Sequence, residues 1–193
     1  MCKALECEPY YWRMMITLAL TTSLRRGELV GLEWKHIDLE AGIIHVKQSI
    51  TNFINGKSLR KISLTDGVQS ELKEYYKFCT QDWDKLVGTR DEEHFFVFFN
   101  QFGRAFYPES PYMWFRGLFK KYKLKYIKFY DLRHKSATFL NNKGVHAKII
   151  SERLGHANIT TTMNIYGHVL SKADRKAANK FYQIIRLNNP KEA

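Results

Sequence analysis

At 193 residues, with 45% hydrophobic and 15% aromatic side chains, the chain can bury one sizeable core and is too short for a second full domain. A formal net charge of +12 argues for a polyanionic partner, either nucleic acid or a membrane surface. No apolar run approaches bilayer length, the N-terminus lacks a signal-peptide layout, and Cys2, Cys7 and Cys79 are too scattered for a disulfide framework or a zinc site, so a soluble protein of the reducing cytoplasm is expected.

In chain order, residues 9–22 place large apolar side chains on most faces, as in a helix buried within a core. A second helix is predicted over Arg25 to Trp34. Residues 42–50 and 59–64 alternate apolar and polar positions and flank Asn55-Gly56, which predicts a small antiparallel hairpin. Residues 67–79 read as a helix and residues 94–99 (HFFVFF) as a short buried strand. From about residue 110 the pattern is mainly helical, ending in an amphipathic stretch at 171–187. The expected fold is therefore predominantly α with a small antiparallel β-sheet. Between 116 and 129, Arg116, Lys120, Lys121, Lys123, Lys125 and Lys128 are interleaved with Phe119, Tyr122, Tyr126 and Phe129. Such a stretch can line a phosphate backbone while its rings pack inward.

Three segments combine charged side chains with tight local structure: SLRRGEL (23–29), YDLRHKSAT (130–138) and LGHANITTTMNIYGH (154–168). In order and spacing they resemble the boxes of the tyrosine recombinase (phage integrase) family. That family has an arginine in a G-L-R-x-x-E-L turn, then an H-x-L-R-H box, then L-G-H followed nine or ten residues later by tyrosine. The resemblance runs from about residue 10 to residue 170 and implies the architecture of that family's catalytic domain.

Carried over residue by residue, it implies Arg25 and Arg133 as the two active-site arginines, His156 as the third-box histidine, Tyr166 as the nucleophile and Glu28 at the family's acidic position. The family also has a lysine on the β-hairpin. Lys57, just past Asn55-Gly56, takes that place, with Arg60 and Lys61 close by and Lys47 further off. Two departures stand out. Tyr130 occupies the usual place of the second-box histidine, where a phenol can donate to a phosphate oxygen but is a poor base. Ser23 replaces a glycine, which an ordinary φ would accommodate.

These residue types suit phosphoryl transfer. Negative charge grows on the phosphate oxygens as the nucleophile adds, and two permanently charged guanidiniums offer paired donors to absorb it. A tyrosine with an ordinary pKa of about 10 needs a neighbouring cation or proton acceptor. The leaving 5′ oxygen needs a proton, which a lysine among positive charges can supply. By the resemblance, the product is a 3′-phosphotyrosyl link that a 5′ hydroxyl later reverses, without metal or ATP. No P-loop or carboxylate cluster is present in the sequence to bind either.

The implied partner is double-stranded DNA, with Arg26, Lys120, Lys121 and Lys123 as backbone contacts, in the bacterial cytoplasm and nucleoid rather than at a membrane. The resemblance further implies a homotetramer in the synaptic complex and a monomer as isolated domain. It also implies N-terminal DNA-binding domains, expected to be absent here, and a C-terminal helix and tail over 171–193, the helix at 171–187, exchanged between protomers. Two other readings compete. Residues 146–168 suit a helix-turn-helix in a non-catalytic DNA-binding module, and a type IB topoisomerase would share the chemistry without synapsis.

Overall fold

The computed structural model describes residues 2–47, 49, 59–86, 94–156, 158 and 160. A short helix, α1 (Cys2–Glu6), leads to Pro9, whose fixed φ starts the central helix α2 (Tyr10–Thr22). Met14, Met15, Ile16 and Leu18 of α2 are essentially inaccessible to solvent, as the apolar stretch 9–22 predicts. Each such side chain contributes about 2 kcal/mol of transfer free energy. Around α2 pack α3 (Arg26–Val30), α4 (Asp66–Leu86) and α6 (Phe129–Asn142). The remaining helices are α5 (Ser110–Lys121), which carries Pro111 in its first turn, and α7 (Ala147–Leu154). Stacked rings bind α5 to α2, with Trp12 and Trp114 4.4 Å apart between centroids. Among the described residues, no helix is long and apolar enough to cross a membrane.

Three antiparallel strands, β1 (Ile37–Asp38), β2 (Ile43–Val46) and β3 (Arg60–Ser63), form one sheet in the order β1-β2-β3. Ile44 faces Ile62 and Val46 faces Arg60 across the β2–β3 pair. Ile44, Val46 and Ile62 are buried. Because side chains alternate across a strand, Arg60 shares the inward face with Ile62, whereas Lys61 lies on the opposite, exposed face beside His45. The hairpin is thus where the sequence places it, although Asn55-Gly56 lies outside the described residues.

Three local expectations change. The helix expected to reach Trp34 stops at Val30 and is followed by a 3-10 turn at Trp34–His36. Glu33 between them is extended and bridges Phe96, with the Leu32 carbonyl accepting from the Val97 amide and the Trp34 amide donating to Phe95. The HFFVFF segment is correspondingly no strand. It makes two isolated bridges, Glu33 to Phe96 and Phe99 to Ala105, while Val97 and Phe98 are fully buried. The helix expected at 67–79 continues to Leu86, where Trp83 extends its buried face.

Candidate active site

The first box forms the link between α2 and α3. Ser23 caps α2 in the left-handed region, at φ +58° and ψ +26°. This corrects the expectation of an ordinary φ there: the turn keeps the conformation that glycine adopts freely, at a strain of about 1 kcal/mol for serine. Local bonds offset the strain. The buried Ser23 hydroxyl donates to Ser136 Oγ of α6 at 2.7 Å, and the Ser23 carbonyl accepts from Arg133 Nη1. Arg25 then stands at the N-cap of α3, and Glu28, three residues on, turns back to accept its backbone N–H at 2.8 Å.

Glu28 does more than cap. Its carboxylate, 2% exposed, also accepts from Arg25 Nη1 at 2.8 Å and from both Nη atoms of Arg60, at 2.9 and 2.7 Å. One buried carboxylate therefore organises two guanidiniums, one from α3 and one from β3.

The third box forms the end of α7. Gly155 terminates the helix at φ +65°, with the Gly155 amide donating to Glu152 and the His156 amide to Ser151. This is a Schellman turn, which satisfies two of the last four helix carbonyls. Arginines satisfy the rest. Arg60 Nε donates to the Arg153 carbonyl at 2.9 Å, Arg133 Nη2 to that of Leu154, and Arg25 Nη2 to that of Gly155 at 2.6 Å. Three guanidiniums from three elements thus meet at the negative end of one helix, where cations are favoured. Arg153 is a fourth latch, donating to Thr21 at 2.6 Å and to Ser63 at 3.2 Å. Besides permitting the left-handed turn, Gly155 leaves room for Arg60, since a Cβ there would lie 2.8 Å from Nη1 and 3.0 Å from Cζ.

The electrostatics follow from this crowding. Burial alone would raise the Glu28 pKa, but the hydrogen bonds and charge of Arg60, then those of Arg25, hold it at about 2. Burial, followed by the charge of Arg25, lowers Arg133 to about 10, so it stays protonated at neutral pH. Burial and then the charges of Arg133 and Arg25 lower His156 to about 4, leaving a neutral imidazole. Three guanidiniums against one carboxylate leave two positive charges beside that imidazole. Such a site favours an anion and can accept a proton.

The structure thus brings together Arg25, Glu28, Arg133 and His156. Tyr130, one turn before Arg133 on α6, is 56% exposed and meets His134 edge to face at 4.9 Å. With Arg25, Arg26 and Arg133 it lines an open cavity of about 280 Å³. Arg26 is held by both oxygens of Glu109, at 2.8 and 2.7 Å, and Lys121 by Glu8 at 2.7 Å. Lys120 and Lys123 are exposed. Lys57, Tyr166 and residues 171–193 lie outside the described residues. Sequence reasoning noticed Arg60 only as a neighbour of Lys57 and missed Arg153 and Ser136. The signal for Arg60 was its spacing of two from Ile62, which puts a charge on a strand's inward face.

Known proteins resemble this chain over most of its length. The model of the phage integrase family matches residues 1–173. A XerC-like tyrosine recombinase of Caldanaerobacter subterraneus subsp. tengcongensis is 31% identical, over 86% of this chain and 47% of its own. The ICEBs1 integrase of Bacillus subtilis is 26% identical, over 90% of this chain and 49% of its own. The chain spans about half the length of these curated relatives. Among solved structures, the integrase of transposon Tn1549 in complex with transposon right end DNA superposes with a TM-score of 0.75 at 24% identity, covering 92% of this chain and 62% of that one.

Proposed function

The chain belongs to the phage integrase family, and we propose that it is the catalytic part of a site-specific recombinase that cuts and rejoins DNA through a transient 3′-phosphotyrosyl bond. The observation that carries this reading is the convergence of Arg25, Arg133 and a neutral His156 on the end of α7, ten residues before Tyr166. The scissile phosphate sits against the two guanidiniums, which absorb the charge that grows on its oxygens. Tyr166 Oη attacks phosphorus and gives up its proton toward His156. The bond from phosphorus to the 5′ oxygen breaks, and that oxygen takes a proton from Lys57. Reversal by the 5′ hydroxyl of a partner duplex restores the phosphodiester and frees the tyrosine. Tyr130, at the cavity rim, donates a hydrogen bond to the phosphate in place of a histidine.

Double-stranded DNA is the substrate, and Arg26, Lys120, Lys121 and Lys123 contact its backbone. Four protomers assemble on paired sites, with residues 171–193 docking on a neighbour, in the cytoplasm of a bacterial host. Integration and excision of a mobile element is the biological role that fits, in keeping with the relatives named above. A selection from random sequence tests the reading. The protein is incubated with nicked duplexes randomised around the nick, and strands bound covalently are recovered after denaturation and sequenced. A denaturant-stable adduct that Tyr166→Phe abolishes is expected. Adducts that survive this substitution would refute the assignment of the nucleophile.

A further inference from the structure

Arg60 is 7% exposed, so it does not present its guanidinium to a DNA backbone. It is nevertheless bonded to both sides of the site. Its two Nη atoms embrace Glu28, which in turn holds the backbone and the guanidinium of Arg25. Its Nε holds the carbonyl of Arg153, two residues before Gly155 in the turn that carries His156. We infer that Arg60 is a positioning residue that aims the Arg25 guanidinium through Glu28 and locks it to the end of α7. The inference rests on the proposed function for its consequence in catalysis, and on the geometry alone for its consequence on Arg25.

Three features support it. First, the fork is directional. Glu28 has two oxygens and takes four donors, two from Arg60 and two from Arg25, so its plane is set by the pair and not by either arginine alone. Second, lysine is no equivalent here, because a single ammonium cannot bond both carboxylate oxygens in a plane and reach the Arg153 carbonyl as well. Third, the space is reserved: Gly155 has no side chain at the point where any Cβ would press on the Arg60 guanidinium. A buried cation that only balanced charge would need none of this shape.

The experiment compares the wild-type chain with Arg60→Lys, which keeps the charge and removes the fork. Arg60→Gln serves as the second variant should the lysine form fail to fold. The Arg25 guanidinium is read by nitrogen NMR: when held it gives separate Nη1 and Nη2 signals, and when free to rotate it gives one. Adduct formation is timed in single turnover on a duplex recovered by the selection above, and again on the same duplex with sulfur at the bridging 5′ position, a leaving group that needs no proton. In the folded variant we expect the two Arg25 signals to merge and duplex affinity to stay within about twofold. Adduct formation should fall about 100-fold, the scale of an active-site group misplaced by an ångström, and bridging sulfur should not restore it. In a double-mutant cycle, Arg60→Lys should add little to Glu28→Gln.

Two resolved Arg25 signals in the variant overturn the inference, whatever the rate does. Rescue by bridging sulfur also overturns it, since Arg60 would then act through the leaving-group lysine. If the wild type forms no adduct while the Arg25 signals still merge in the variant, the proposed function falls and the positioning of Arg25 stands.

Discussion

Two basic regions of this molecule use similar side chains in opposite ways. At the end of α7, Arg25, Arg60 and Arg133 are turned inward and hydrogen-bonded to successive carbonyls and to one carboxylate. Along α5 and just beyond, Lys120, Lys123, Lys125 and Lys128 stand in solvent. In the first region every guanidinium has a fixed direction, because a buried donor without a partner is penalised and the partners are carbonyls at a helix end and one buried carboxylate. In the second, long flexible side chains keep their rotamer freedom and are screened by salt. Rigid charge is suited to stabilising a charge distribution that lasts only during a reaction, and mobile charge to gripping a polyanion at any register.

Acid should strike the rigid region hardest. Glu28 has its pKa depressed to about 2, so its stabilisation is complete above the unfolded value near 4.5 and is lost as pH falls toward 2. The shift corresponds to roughly 3 kcal/mol at neutral pH. His156, lowered to about 4, acts in the same direction: the unfolded chain binds its proton near pH 6.5 and the folded chain does not, so stability drops as pH falls between 6.5 and 4. Thermal melts between pH 7 and pH 3 should show this decline, and Glu28→Gln should flatten its lower part. A melting temperature independent of pH over that range would mean that the cluster is not held as described.

Gly155→Ala is expected to rank next. It forces a side chain into a left-handed turn and against the Arg60 guanidinium, at a combined loss of about 2 kcal/mol. Urea unfolding would measure this. The adduct rate should fall more steeply than stability does, because the displaced group is the one that braces Arg25. A comparable glycine, Gly144 at φ +80°, has nothing within contact of a Cβ, so Gly144→Ala should show the backbone strain alone.

The smallest effects belong to the mobile region. Lys120→Ala and Lys123→Ala should each weaken DNA binding a few-fold and reduce the salt dependence of affinity by about one counterion. Lys121→Ala should change that slope less, since Glu8 already holds its ammonium. Equal slopes for all three would show that the Glu8 pair opens on DNA. Filter binding over a range of salt concentrations distinguishes the outcomes.

Much of this could be read from residues in order. The apolar stretch 9–22 is the core helix, the alternating pattern at 43–46 and 60–63 is the hairpin, and the arginines of the first two boxes meet the histidine turn of the third. What failed to show was where charges pair over long separations. Nothing local to Arg60 says that its partner is Glu28, and nothing in HFFVFF says that its backbone will bond to residues 32–34 and so end the helix after Val30. Ser23 misled for a related reason: a serine suggests an ordinary φ, while its bonds to Ser136 and Arg133 come from a helix more than a hundred residues away.

The sequence by itself determined which side chains are on offer: two arginines, a histidine and a tyrosine in family order, the set that the proposed chemistry needs to take up phosphate charge, a proton and a covalent bond. Only the tertiary structure decided how that chemistry is held. Hydrogen bonds are directional and buried charges must be satisfied, so the third arginine became visible only once the strand, the start of α3 and the Schellman turn had been brought within hydrogen-bond reach of one another.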